Sequence, residues 1–114
     1  MDSQDGVSRS GLIMHIRYRC ELIIERMACP RACRILEDAG LTGYTVLPAI
    51  SGFGGVTRWS RDTDMSASSD MVVIVTIGAQ EQIDAALTEI ERLLSNHIGV
   101  LSVGEVRVLR PGRF

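Results

Sequence analysis

The chain has 114 residues, 46% of them hydrophobic, with 12 basic and 14 acidic side chains and an isoelectric point near 5.6. That length closes one core without disulfides or a structural metal, and the charge balance excludes a strong field toward nucleic acid or an anionic membrane. Every basic residue is Arg, which excludes lysine-dependent chemistry, the Walker A loop and Schiff bases included.

Residues 1–14 read as a flexible tail. Asp2 and Asp5 precede any apolar run, the wrong charge for a signal peptide, and Gly6, Ser8, Ser10 and Gly11 loosen the start. Met14 is an alternative beginning. No apolar stretch is long enough to span a bilayer, and three cysteines without an export signal make a reducing, cytoplasmic setting the expectation.

From Ile16 to Glu25 the chain alternates. Ile16, Tyr18, Cys20, Leu22 and Ile24 share one face of a first strand, and Arg17, Arg19, Glu21 and Glu25 point the other way. Pro30 suits a first helical turn, Ala32, Ile35, Leu36 and Ala39 recur at helical spacing, and Gly40 stands where a left-handed cap belongs.

Gly43 to Ile50 reads as a second strand, whose Pro48 cannot donate to a ladder and so belongs at a sheet edge or bulge. Met71 to Ile77 is a third strand, apolar almost throughout. Ile83, Ala86, Leu87, Ile90, Leu93 and Leu94 define a second helix, with Glu81, Asp84, Glu89 and Arg92 facing water. Val100 to Leu109 is a fourth strand, in which Gly104 suggests a bulge or kink. The order βαββαβ predicts a ferredoxin-like α+β domain over residues 15–114, a four-stranded antiparallel sheet with both helices on one face.

The connection from Ser51 to Asp70 is long, since hairpin loops usually hold about 2 to 5 residues. It carries Gly52, Gly54, Gly55, five serines, Arg58, Trp59 and Arg61, too little to fold alone, so it is expected to order on a ligand or partner. The Gly52-Phe53-Gly54-Gly55 turn lets backbone amides approach a phosphate that Arg58 or Arg61 would grip. It also serves simply as a tight bend. Arg107, Arg110 and Arg113 add cations near the end of the fourth strand.

Other constellations are weaker. Cys29 and Cys33 share a helix face, half a zinc site with no second pair to complete it. An oxidant-sensing Cys29 near a helix start competes with the commoner small buried thiol. His15 and His97 assemble no triad, and His97 suits the C-terminal end of the second helix as a structural cap. An RNA-recognition reading fails because Met71 to Ile77 contains no aromatic residue to stack on bases.

Gly40-Leu41-Thr42-Gly43-Tyr44-Thr45-Val46, the glycine-serine loop, and Ile98-Gly99-Val100-Leu101 followed by a closing strand resemble the PII signalling superfamily. The likeness spans about Cys20 to Phe114. The ending Glu105-Val106-Arg107-Val108-Leu109-Arg110-Pro111 points to the PII-like branch linked to inorganic carbon, with carboxysome-associated and bicarbonate-transporter-linked members.

The resemblance implies a homotrimer without enzyme activity. Its inter-subunit clefts would bind ADP or AMP, with bicarbonate as a further ligand, and a T-loop at residues 51–70 would contact a bicarbonate transporter or a carboxysome-related protein in carbon fixation. By position Thr45 lies near the adenine, Gly52 to Gly54 form the T-loop base, Arg58 contacts phosphate and Gly99 is the glycine of the B-loop. The expected nucleotide-binding set is Thr45, Gly52, Phe53, Gly54, Gly55, Arg58, Thr76, Gly99, Val100, Leu101, Arg107, Arg110 and Arg113.

Where nitrogen-sensing members carry Gly-Asp-Gly-Lys, this chain reads Gly99-Val100-Leu101-Ser102. That favours ADP or AMP over ATP with magnesium and 2-oxoglutarate. The loop also holds no tyrosine, so uridylylation is not available. The rival reading is a trimeric metal-tolerance or small-ligand protein of similar topology using Cys29, Cys33 and a His. An acylphosphatase-like enzyme ranks third.

Overall fold

The computed structural model describes residues 5–7, 12–54, 57–60 and 70–111. In chain order these form β1 (Asp5–Val7), β2 (Ile13–Glu25), a 3-10 turn (Arg26–Ala28), α1 (Cys29–Asp38), β3 (Thr45–Pro48), β4 (Ser51–Gly54), β5 (Thr57–Ser60), β6 (Met71–Gly78), α2 (Gln80–Leu94) and β7 (Gly99–Val108).

Pro30 stands in the first turn of α1, where its missing N–H costs no intrahelical bond. The helix ends at Gly40, which takes φ +91°, and the Leu41 amide returns to the Leu36 carbonyl at 3.2 Å. That is a glycine-dependent left-handed cap. At the start of α2, Ala79 has no side-chain oxygen to offer, and Gln82 compensates. Its Oε1 accepts the Ala79 amide at 3.0 Å and its Nε2 donates to the Gly40 carbonyl at 2.7 Å, so one side chain joins the two helices.

β2 is central. It pairs antiparallel with β6 from Tyr18↔Gly78 to Glu25↔Met71 and with β7 from His15↔Val108 to Ile24↔Gly99. β3 flanks β6 from Thr45↔Val75 to Pro48↔Val72, which gives the order β7-β2-β6-β3. Pro48 thus lies in an outer strand, as its missing N–H requires. His15 pairs with both Asp5 and Val108, so β1 lies along the edge of β2 that β6 uses farther on.

Pleating sends alternate residues to opposite faces. Leu22, Ile24 and Ile74 on one face meet Leu36, Ile83 and Ile90 from the helices, and all six are fully buried. Each such side chain contributes about 1.5–3 kcal/mol on leaving water. The opposite face carries Ile23, Val73, Leu47 and Val100 in register, with Leu47 49% and Val100 58% exposed.

Several expectations are corrected. The first strand opens at Ile13, not Ile16, and Asp5–Val7 pairs with it inside the stretch expected to be a loose tail. The backbone there gains ladder bonds that composition alone does not reveal. Gly104 makes no bulge, because the β2–β7 register runs without a slip from His15 to Ile24. Part of the connection expected to be unstructured forms a hairpin, Ser51↔Ser60 to Gly54↔Thr57. Residues 61–69 lie outside the described set. Glu25, placed on the strand face opposite Ile24, is 6% exposed, its carboxylate held by the Ile98 amide. No helix among the described residues is long and apolar enough to cross a membrane.

Candidate functional site

One end of the sheet gathers most of the glycine-rich and loop segments. Register aligns Gly99, Ile24, Val72 and Pro48 in a row across β7, β2, β6 and β3. Just past this row the Ala49 amide bonds the Met71 carbonyl at 3.0 Å, and the chain enters the hairpin at Ser51. The turn joining α2 to β7 arrives at the same row.

Polar contacts hold these segments. The Glu25 Oε1 accepts the Ile98 amide at 2.7 Å and lies 3.3 Å from His97 Nδ1. Next to it, the Arg26 amide bonds the Asp70 carbonyl at 2.8 Å, and the Arg26 Nε donates to the Asp70 carboxylate. Asp70 closes the connection that Ser51 opens. Two adjacent residues, Glu25 and Arg26, therefore anchor both the turn before β7 and the return of the 51–70 connection. The sequence reading missed this anchor. The signal was a charged pair placed where an apolar strand stops.

Apolar side chains leave this end uncovered. Met27, Ile50, Phe53 and Ile98 are all exposed, on segments that flank the aligned row. A flat apolar ligand face and an anionic tail would both find partners here, the first on these side chains and the second on hairpin amides.

The expected residues divide. Gly52, Phe53, Gly54, Gly99, Val100 and Leu101 lie at this end, in β4 and at the start of β7. Arg58 stands in β5 opposite Phe53. Thr45 ends the row Thr45, Val75, Glu21, Ser102, and the three strand spacings between Thr45 and β7 amount to about 14 Å. Arg107 pairs with Ile16, about 27 Å along β7 from Gly99 at ~3.4 Å per residue. Arg107 and Arg110 are exposed at that far end, so one protomer does not bring them to the hairpin. Gly55 and Arg113 lie outside the described residues.

Thr76 departs from expectation. It is 0% exposed and its hydroxyl donates to the Gly43 carbonyl at 2.6 Å. A buried, committed donor cannot reach a surface ligand, so Thr76 holds the segment leading to Thr45.

A second concavity lies on the helix side of the β3 edge. Cys29, Cys33, Arg26, Arg34, Glu37 and Tyr44 line a cleft of about 520 Å³. The sulfurs of Cys29 and Cys33 are 3.9 Å apart, and Tyr44 donates to the Glu37 carboxylate at 2.7 Å. That bond to an anion, with a further one to Cys33, pushes the Tyr44 phenol up from its ordinary value. Burial, with the neighbouring thiol, pushes the Cys29 thiol up to about 11. The expected histidine does not join the thiols. His97 faces Glu25, and among the described residues no three His, Cys, Asp or Glu side chains converge for a metal. The three-ligand version of the rival reading therefore fails on geometry.

A family model described as nitrogen regulatory protein P-II matches residues 18–113. No curated protein matches the chain. Among solved structures, it is similar to CPII, a nitrogen regulatory PII-like protein from Thiomonas intermedia K12 bound to ADP, AMP and bicarbonate. Identity is 23%, 86% of this chain and 92% of that chain are covered, and the TM-score is 0.77. A PII-like signalling protein from Thermus thermophilus superposes at 18% identity, 85% and 92% coverage and TM-score 0.67. The GlnK–ATP complex of B. subtilis gives 17% identity, 80% and 83% coverage and TM-score 0.56.

Proposed function

Because this chain belongs to the nitrogen regulatory P-II family, we propose that it is a cytoplasmic homotrimeric regulator that binds ADP or AMP, together with bicarbonate, in clefts between protomers. In this reading it performs no catalysis. It reports energy or carbon state to a protein target in inorganic-carbon metabolism, a bicarbonate transporter or a carboxysome-related protein, through the 51–70 connection.

The observation that carries the reading is the division of the site. The glycine-rich backbone stands at one end of the sheet, and Arg107 and Arg110 at another beyond the reach of the same protomer. The uncovered apolar sheet face, with Ile23, Val73, Leu47 and Val100 in register, calls for a second copy. Packing copies on that face would bring the C-terminal arginines of one protomer to the hairpin base of the next. The nucleotides and bicarbonate named for the Thiomonas protein support the choice of ligand.

Each residue then has a role. Thr45 and the exposed apolar side chains that flank the aligned row hold the adenine, and the Gly52 to Gly55 backbone offers amides to the phosphates. Arg58 adds a guanidinium fork for phosphate or bicarbonate, and Arg107, Arg110 and Arg113 close the cleft from the neighbour. β4 and β5 make a ladder of their own, apart from the main sheet. An isolated two-stranded hairpin is marginally stable, so a ligand at its base selects among its conformations by differential affinity. That is how occupancy becomes a signal.

Titration calorimetry with ADP and AMP, each with and without bicarbonate, tests the ligand, and sedimentation tests the assembly. Saturable binding by a trimer is expected. A monomer that takes up neither nucleotide would end this reading.

A further inference from the structure

We propose that Cys29 and Cys33 form a two-thiolate site for a soft monovalent cation of the Cu(I) or Ag(I) class, on the helix side of the domain and separate from the nucleotide cleft. The inference stands on the geometry of the α1 cleft and not on the nucleotide reading.

The sulfur separation decides between three uses of the pair. Two metal–sulfur bonds of about 2.3 Å place their sulfurs ~3.8 Å apart in a tetrahedral arrangement and ~4.6 Å apart in a linear one. The observed 3.9 Å lies inside that window, so an ion enters with side-chain adjustment alone. A disulfide needs about 2.05 Å, a closure of nearly half the distance across one helical turn. A zinc ion wants three or four protein ligands, and no third His, Cys, Asp or Glu converges among the described residues. A soft ion satisfied by two thiolates is the class that fits.

The surroundings match the charge of the product. The ion displaces the proton of each thiol: two S–H bonds break, two metal–sulfur bonds form, two protons leave to water, and no electron moves. The bis-thiolate complex carries one net negative charge. Arg34 lines the same cleft, beside Arg26, whose guanidinium also pairs with the Asp70 carboxylate, and Cys29 is the first residue of α1, at the positive end of its dipole. Of the remaining polar groups, Glu37 is engaged by the Tyr44 hydroxyl.

The test supplies Cu(I) anaerobically as its complex with a colorimetric chelator. The chain should withdraw one equivalent, and X-ray absorption should show two sulfur neighbours. Cys29→Ser and Cys33→Ala should each weaken capture about a hundredfold or more, beyond what loss of an outer partner costs a metal site. Cys20→Ala, altering a buried thiol outside the cleft, should leave capture unchanged. Cys29→Ser exchanges sulfur for oxygen in a side chain of nearly the same size in the first turn of α1, so it reads the site even where Cys33→Ala unfolds the chain. No withdrawal of copper, full capture by Cys29→Ser, or an ion shell dominated by nitrogen and oxygen would overturn the proposal.

Discussion

Glu25 and Ile98 bond each other twice: the Glu25 carboxylate accepts the Ile98 amide at 2.7 Å, and the Glu25 amide donates to the Ile98 carbonyl at 3.3 Å. The carboxylate is buried, yet both ends of the exchange are satisfied. The turn before β7 is thereby docked on the end of β2, one residue from the Arg26–Asp70 clamp on the 51–70 connection.

Removing that acceptor should be costly. Glu25→Ala takes the acceptor from the part-buried Ile98 amide, and about 1–3 kcal/mol of stability should be lost. Glu25→Gln keeps an oxygen for Ile98 and should lose less. Urea unfolding of both variants checks the order, and equal losses would show that the carboxylate is not an anchor.

Thr76→Val keeps the shape of the side chain but strands the Gly43 carbonyl. The expected loss is again about 1–3 kcal/mol, with ADP affinity of the folded protein unchanged. A large affinity loss at undiminished stability would return Thr76 to the ligand site.

Two glycines in β7 should respond oppositely to Ala. At Gly99 a Cβ would stand 2.6 Å from the Ile23 carbonyl oxygen and 3.2 Å from the Ile24 Cα, so backbone must move, whereas at Gly104 it meets nothing within 4 Å. Gly99→Ala should cost about 1–3 kcal/mol. Gly104→Ala should be neutral or stabilising by up to about 1 kcal/mol, through the unfolded chain. Thermal unfolding of the pair decides.

Alkaline pH should weaken the fold. Burial raises the Cys20 thiol from 9.0 to about 11, so the folded state holds this proton more tightly than the unfolded chain. That contribution is fully present below about pH 9 and is lost as pH rises through the folded value. Cys20→Ala should flatten the decline between those limits. An identical pH profile in the variant would refute the assignment.

The proposed cleft between two protomers would allow complementation. Thr45→Ala and Arg107→Ala should each lower ADP affinity about tenfold or more, the range of a charge-assisted bond for the Arg. Co-refolding the two in equal amounts should restore full affinity in about one quarter of the clefts, those pairing an intact Thr45 with an intact Arg107 from a neighbour. No recovery in a confirmed mixed trimer would place both residues within one chain's site.

Much of the fold was legible locally. Ile16 to Ile24 alternate with the period of a strand, Ile83 to Leu94 recur with that of a helix, and Pro48 announced an outer strand. Gly104 misled, since a glycine in a strand signals a bulge only when the partner strand lacks room for a regular ladder. Thr76 misled for another reason: nothing in Met71 to Ile77 tells a ligand-facing hydroxyl from one aimed at a carbonyl 33 positions away. The Cys29–Cys33 spacing placed both thiols on one face of α1, but their separation and the cleft they line awaited the packing of β3 beside the helix.

Side-chain period and turn chemistry depend on neighbours a few positions apart, so element order, strand faces and the family signature could be read from the letters in line. The burial of Glu25, its exchange with a residue 73 positions away, and the alignment of Gly99, Ile24, Val72 and Pro48 came only with the folded chain. A buried polar group takes whatever partner the tertiary packing sets beside it, and that choice leaves no periodic trace.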